Sequence, residues 1–304
     1  MADGATAILF PGQGAQSVGM AGDWVAAEPR AAALFARASD ILGYDLLAIC
    51  RTGPAERLNA TAVSQPGILV TSLAALEVQR SRDAGPLDAA TLTAGLSLGE
   101  YTALVFAGAL GFDAAVRLVD IRGRAMQDCA DRSPGAMVAV LGLERDRIGS
   151  LCDECRHDDV LEVANILCPG NIVVSGSEPA CRRVEAAAAA AGALKCVPLD
   201  VAGAFHTRLM QPAVERLSAA LADTPLAAPR IPVVSNVDAR PHTDPEVIRG
   251  LLARQVVGVV EWSGSMAYML STGVRAVREI GPGRVLRGLM KRIDRSVACA
   301  GVFD

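Results

Sequence analysis

Thr91-Leu-Thr-Ala-Gly-Leu-Ser-Leu-Gly-Glu-Tyr-Thr-Ala-Leu-Val-Phe-Ala107 opens with a short β-branched run, turns through Gly95-Leu96-Ser97-Leu98-Gly99, and continues as a helical run rich in Ala and Leu. The pattern predicts strand, sharp turn and helix, with G-x-S-x-G at the corner, the arrangement called a nucleophile elbow. The two glycines fit a corner where the backbone is strained and packs so closely that a Cβ would clash. The serine would stand at the carboxyl end of a strand and the start of a helix, where free N–H groups and the helix dipole can stabilise an oxyanion. A small-residue turn that merely contains serine gives the same pattern, so the rest of the chain has to decide.

The totals favour a protein that can carry such a site. With 304 residues, 51% of them hydrophobic and only 4% aromatic, the composition is that of an α/β protein with buried parallel strands under Ala-rich helices. A net charge of −4 provides no global field for nucleic acid or an anionic membrane. The N-terminal Met-Ala-Asp-Gly-Ala-Thr lacks a basic region followed by an apolar one, so no signal peptide is expected. No uninterrupted apolar run reaches about 18 residues, the length of a spanning helix, and the expectation is a cytoplasmic protein. The eight cysteines are scattered, as reduced and partly buried thiols are. Cys152-x-x-Cys155 with His157 nearby has neither a second CxxC nor a paired histidine to complete four ligands, so no metal is expected.

Outward from the elbow, residues 5–10 read as a first buried strand emptying into Pro11-Gly12-Gln13-Gly14. This is no phosphate loop, for no Lys-Ser/Thr follows and the G-x-G-x-x-G spacing fails at Ser17. Gln13, between two glycines, either faces a site or decorates a turn. Helices are expected over 23–38, 39–50 and 65–82, the last with Pro66 in its first turn. Another is expected to open at Gly111, with Asp113 as N-cap. Its apolar stripe runs Ala115, Leu118, Val119, Arg122, Met126, which puts Arg122 on the buried face. A buried guanidinium needs an anion: an internal carboxylate or one on a substrate, unless the side chain snorkels outward.

The texture changes over 133–199. Strands at 137–141, 160–165, 172–175 and 194–197 alternate with helices at 144–157 and 178–191. That β-α-β-β-α-β order is the ferredoxin-like signature, set between two parts of a larger α/β domain, 1–132 and 200–304. In the second part helices are expected over 207–223, 245–254, 262–271 and 285–293, with strands at 233–236 and 275–280.

Three histidines are available as a base. His157 and His242 lie in solvated stretches, whereas His206 sits in the apolar Val201-Ala-Gly-Ala-Phe-His-Thr. By itself it reads as a core residue; beside an exposed serine it reads as the general base for Ser97. No Asp or Glu is marked out as a third member.

These residues together resemble a family. Phe10-Pro-Gly-Gln-Gly-Ala-Gln, Gly95-Leu-Ser-Leu-Gly-Glu-Tyr, Arg122-Gly-Arg-Ala-Met-Gln, Ala204-Phe-His, Arg254-Gln before Glu261-Trp, and Glu279-Ile-Gly-Pro-Gly-Arg-Val-Leu occur in that order. The chain resembles the malonyl-CoA:acyl carrier protein transacylases of fatty-acid and polyketide synthesis over about residues 5–295. The resemblance implies an α/β-hydrolase-like large domain with the ferredoxin-like subdomain inserted, and a ping-pong transfer of malonyl from coenzyme A to acyl carrier protein. It implies Ser97 as nucleophile, His206 as base and the main-chain N–H groups of Gln13 and Leu98 as oxyanion donors. Arg122 would pair with the malonyl carboxylate, the Gln255 carbonyl would orient His206, and Met126 and Phe205 would line the acyl site, Phe205 leaving little room for an α-methyl branch. No cofactor is implied, since the coenzyme A thioester is the substrate, and a monomer is expected.

Two positions depart from the family pattern: Leu96, where histidine is usual before the nucleophile, and Leu167, where many relatives have asparagine. A serine hydrolase remains a competing reading of the elbow, and an inactive carrier-binding module a competing reading of Leu96. Arg287, Lys291, Arg292 and Arg295 are candidates for meeting an acidic carrier protein, or simply a solvated helix end.

Overall fold

The computed structural model describes residues 5–303, a mixed α/β chain with two sheets. The N-terminal leader reading and the outer limits of the 1–132 and 200–304 segments fall partly outside those residues. Among the described residues ten strands run β1 Ala5–Phe10, β2 Ala90–Gly95, β3 Gly135–Leu141, β4 Leu161–Cys168, β5 Asn171–Ser177, β6 Lys195–Pro198, β7 Val233–Val234, β8 Pro241–His242, β9 Val274–Glu279 and β10 Ala298–Gly301. The larger sheet has the order β10-β9-β1-β2-β7-β8, parallel throughout except for β8 against β7.

β1 shows why this sheet must be covered on both faces. Ile8 and Phe10 enter one apolar cluster, Ala7 and Leu9 the other, because successive side chains of a strand alternate. Helices Thr61–Arg82 and Phe112–Arg132 cover the first face; Trp262–Ser271 and Val285–Ile293 cover the second. Thr61–Arg82 is long and apolar enough to cross a membrane, but 83% of its most apolar window is buried inside the protein, so it serves as a core helix.

Several helix boundaries differ from the sequence expectation for local reasons. The 23–38 helix is two, Asp23–Ala27 and Pro29–Leu42, because Pro29 removes an N–H and restricts the residue before it. Gly43 at φ 76° ends the second, and Asp45 caps Leu46–Thr52 by accepting from the Ala48 N–H at 2.9 Å. The 65–82 helix begins four residues early, at Thr61, with Pro66 inside it; packing against Phe112–Arg132 outweighs the one bond proline cannot make. Asp113 is not an N-cap, since Gly111 holds that position. Its carboxylate instead meets Arg37 Nε at 2.5 Å.

The smaller sheet is antiparallel in the order β4-β5-β3-β6. Helices Arg145–Arg156 and Glu178–Ala190 pack on it, and Cys152, Cys155 and Cys181 belong to the core between them. The smaller sheet is tied to the segment leading into helix Trp262–Ser271 where Ile166 donates to the Val260 carbonyl at 2.9 Å and Val260 to Ala164 at 2.8 Å. An Arg145–Glu261 ion pair at 2.9 Å adds a second tie.

Candidate active site

The corner between β2 and helix Gly99–Phe106 is built from contacts only glycine permits. A Cβ on Gly95 would lie 1.8 Å from the Gly99 carbonyl carbon, and one on Gly99 would lie 2.2 Å from the Phe10 carbonyl oxygen. Between them Ser97 sits at φ 48°, a left-handed conformation that costs a non-glycine residue about 1–2 kcal/mol and persists where its surroundings over-determine it. Asn236, just after β7, supplies part of that constraint. Its Oδ1 accepts from the Ser97 N–H at 2.5 Å and its Nδ2 donates to the Gly95 carbonyl at 2.8 Å.

Ser97 Oγ lies 2.9 Å from His206 Nε2. On the far side of the ring, Nδ1 lies 2.8 Å from the Gln255 carbonyl oxygen. A carbonyl can only accept, so Nδ1 carries the proton and Nε2 turns its lone pair to the serine. His206 is itself held at φ 59°. Burial, reinforced by the Arg122 charge, lowers its pKa to about 4, so the imidazole is neutral at pH 7. This is the protonation state a general base requires.

Arg122 is 1% exposed, on the buried face where its helical spacing puts it. Gly123 lets the two helices approach, for a Cβ there would lie 2.8 Å from the Thr61 carbonyl oxygen. Across that contact Arg122 Nη1 donates to Gln65 Oε1 at 2.8 Å; Nη2 reaches Gln255 Oε1 and Ser97 Oγ, each at 3.0 Å. The guanidinium lies over the Tyr101 ring, 5.7 Å from its centre. Among the described residues Nε has no hydrogen-bond partner. The snorkelling reading of this arginine therefore gives way, since it points inward; its direct hydrogen-bond partners are neutral side chains, and no carboxylate touches it among the described residues.

A cleft of about 480 Å³ opens over these groups. Gly12, Gln13, Leu96 and Ser97 line it from the carboxyl ends of β1 and β2, where open α/β sheets bind ligands. Met126, Arg122, Phe205 and His206 form its depth, and the smaller sheet contributes Met137, Asn165, Leu167 and Val173. The Gln13 side chain donates weakly to Thr61 Oγ1 at 3.4 Å. Among the described residues neither the Gln13 nor the Leu98 main-chain N–H has a protein acceptor; that of Leu98 is one of the orphan donors every helix start leaves. Leu96 stands at the cleft wall and packs against the apolar cluster around Trp262, leaving the Ser97–His206 contact intact. Lys291, Arg292 and Arg295 are exposed beyond this cleft, whereas Arg287 is turned toward Glu279 at 3.4 Å.

Sequence reading missed Glu100, Asn236, Gln65 and the side chain of Gln255. Glu100 carried a signal: it is the lone charge in the apolar run Gly99–Phe106 and is 3% exposed. Asn236 and Gln65 carried none, because their roles arise from elements distant in the chain.

A family model described as acyl transferase domain matches residues 8–298. The malonyl CoA-acyl carrier protein transacylase of Escherichia coli O157:H7 is 44% identical over 98% of this chain and 96% of its own. The malonyl-CoA:acyl carrier protein transacylase of Xanthomonas oryzae pv. oryzae superimposes with a TM-score of 0.94 at 40% identity, over 99% of this chain and 95% of that one. A type II PKS acyl-carrier protein in complex with its malonyl-transacylase gives 0.94 at 40% identity, covering 99% and 96%. The chain belongs to the malonyl CoA-acyl carrier protein transacylase family of acyl transferase domains.

Proposed function

We propose that the protein transfers a malonyl group from malonyl-CoA to the phosphopantetheine thiol of acyl carrier protein, in fatty-acid or polyketide synthesis, through a malonyl ester on Ser97. The observation that carries this reading is Arg122: a buried guanidinium at the cleft, its Nη2 3.0 Å from the serine oxygen and no carboxylate among its direct partners, is suited to an acyl group ending in a carboxylate. His206 Nε2 takes the Ser97 proton as Oγ attacks the thioester carbonyl; the C–S bond breaks and coenzyme A leaves with that proton. The carrier thiol then attacks the ester, His206 accepting its proton and returning it to Ser97. The Gln13 and Leu98 N–H groups receive the oxyanion in both halves, the Gln255 carbonyl holds the ring, and Met126 and Phe205 bound the acyl chain.

The reaction uses only these protein groups, with the coenzyme A thioester as substrate and no added cofactor. The chain reads as an α/β-hydrolase-like domain, 1–132 and 200–304, carrying a ferredoxin-like subdomain, 133–199, and acts as a cytoplasmic monomer. The β-α-β-β-α-β order and strand order β4-β5-β3-β6 support the subdomain reading. The partner reading rests on the related complex with a type II PKS acyl-carrier protein.

Brief incubation with malonyl-CoA is expected to add one malonyl group to the intact protein, removed on addition of holo acyl carrier protein. Protein that binds the carrier but never acquires the mass would establish a binding module, and release of free malonate without transfer a hydrolase. Arg122→Ala is expected to lower the malonyl:acetyl ratio of acylation kcat/KM by about 10- to 150-fold, the worth of a charge-assisted hydrogen bond. An unchanged ratio removes Arg122 from acyl recognition.

A further inference from the structure

Among the described residues two carboxylates are buried, Glu279 and Glu100. Glu279 caps the helix Val285–Ile293, accepting from the Leu286 and Arg287 N–H groups at 3.0 Å each. Glu100 has no such local task. It lies one turn beyond Ser97, and its Oε2 accepts from Gln255 Nε2 at 2.7 Å and from the Asn236 N–H at 3.1 Å. The same Gln255 amide donates to the Ser97 carbonyl at 3.0 Å and, through Oε1, accepts from Arg122 Nη2 at 3.0 Å. Carboxylate and guanidinium are thus joined through one neutral amide.

That spacing has a physical consequence. A bare guanidinium is costly to bury, yet a direct carboxylate would occupy its donors as a bidentate pair. With the negative charge of ionised Glu100 one amide away, the charge of Arg122 is partly compensated while no carboxylate occupies its donors and Nη2 still faces Ser97 in the cleft. We propose that Glu100 is a positioning residue and the counter-charge of Arg122, held off by Gln255 so that the guanidinium remains open to the carboxylate of the incoming acyl group. This rests on the assignment of Arg122 to acyl recognition made above.

Neutralising Glu100 without changing its shape leaves the substrate carboxylate as the principal counter-charge, so Glu100→Gln should favour malonyl over acetyl, whereas a scaffold residue would weaken both when replaced. The charged and titratable groups facing Glu100 are Arg122, from helix Phe112–Arg132, and Tyr101 on its own helix; Ser235, Asn236 and Gln255 complete its surroundings. Burial pushes its carboxyl up to about 7, so the comparison belongs at about pH 8.5, where it is ionised.

The experiment measures single-turnover acylation by malonyl-CoA and acetyl-CoA in wild type, Glu100→Gln, Arg122→Ala and the double variant. Glu100→Gln should raise the malonyl:acetyl ratio by about three- to tenfold and should have no effect on it in the Arg122→Ala background. The wild-type ratio, which needs no substitution, should rise as pH falls through about 7 and stay level in Glu100→Gln. If Arg122→Ala leaves the ratio unchanged, the acyl-recognition reading fails. If Arg122→Ala lowers it while the wild-type ratio is flat with pH and Glu100→Gln does not raise it, the counter-charge role is wrong and acyl recognition stands.

Discussion

Ser97→Ala is expected to take up no malonyl group from malonyl-CoA and to transfer malonyl about 10⁶-fold more slowly, the loss seen when the nucleophile of an acyl-transferring serine site is removed. The size follows from the geometry. Ser97 Oγ is the atom on which the imidazole lone pair and the Arg122 guanidinium converge, at 2.9 and 3.0 Å. The corner that presents it is closed by Gly95 and Gly99 against backbone, and among the described residues lining the cleft Ser97 carries the only hydroxyl. The fold should survive, because alanine keeps the Cβ and loses only the oxygen; an unchanged melting temperature is the control. Intact-protein mass and the rate of transfer to holo acyl carrier protein are the readouts. A malonyl adduct persisting in Ser97→Ala would move the nucleophile elsewhere.

His206→Ala is expected to lower acylation by about 10²- to 10⁴-fold, the usual worth of a positioned general base, with a smaller effect on the binding of malonyl-CoA. In the wild type the acidic limb of kcat/KM should fall near pH 4, below the ordinary histidine range, because burial and the Arg122 charge resist protonation of the ring. A limb near 6.5 would mean that the ring is more hydrated than its 5% exposure implies.

The same group makes folding pH-dependent. Between about 6.5 and about 4 the unfolded chain binds a proton that folded His206 excludes, so this contribution falls as pH drops through that window. Glu100 acts in the opposite sense. Its folded carboxyl keeps a proton up to about 7 where the unfolded one loses it near 4.5, so its contribution is lost as pH rises through that window. The two slopes partly cancel, and Glu100→Gln should expose the histidine slope in thermal melts across pH.

Much of this was legible in the residues alone. The elbow, the inward-facing Arg122 and the apolar setting of His206 are local patterns: a glycine spacing, a helical period, a charge-poor heptapeptide. Such patterns are written by short-range sterics and by the need to bury one face, and they survive without tertiary knowledge. Local chemistry also determined strand Ala5–Phe10 and helices Trp262–Ser271 and Val285–Ile293, which match their expected bounds. Where a long-range contact outweighed a local signal the reading slipped, as at Pro66, kept inside a helix by its packing, and at Asp113, taken by Arg37.

Which distant groups meet, by contrast, is fixed by packing alone. Asn236 holds both ends of the elbow turn from 139 residues away along the chain, and Gln255 joins Ser97, His206, Arg122 and Glu100. No local pattern encodes these pairings, because a buried polar group is satisfied by whichever partner the packed elements bring within about 3 Å. Local patterns therefore mark out the candidates for the chemistry; packing fixes how they are held, and sets a carboxylate one amide behind the arginine.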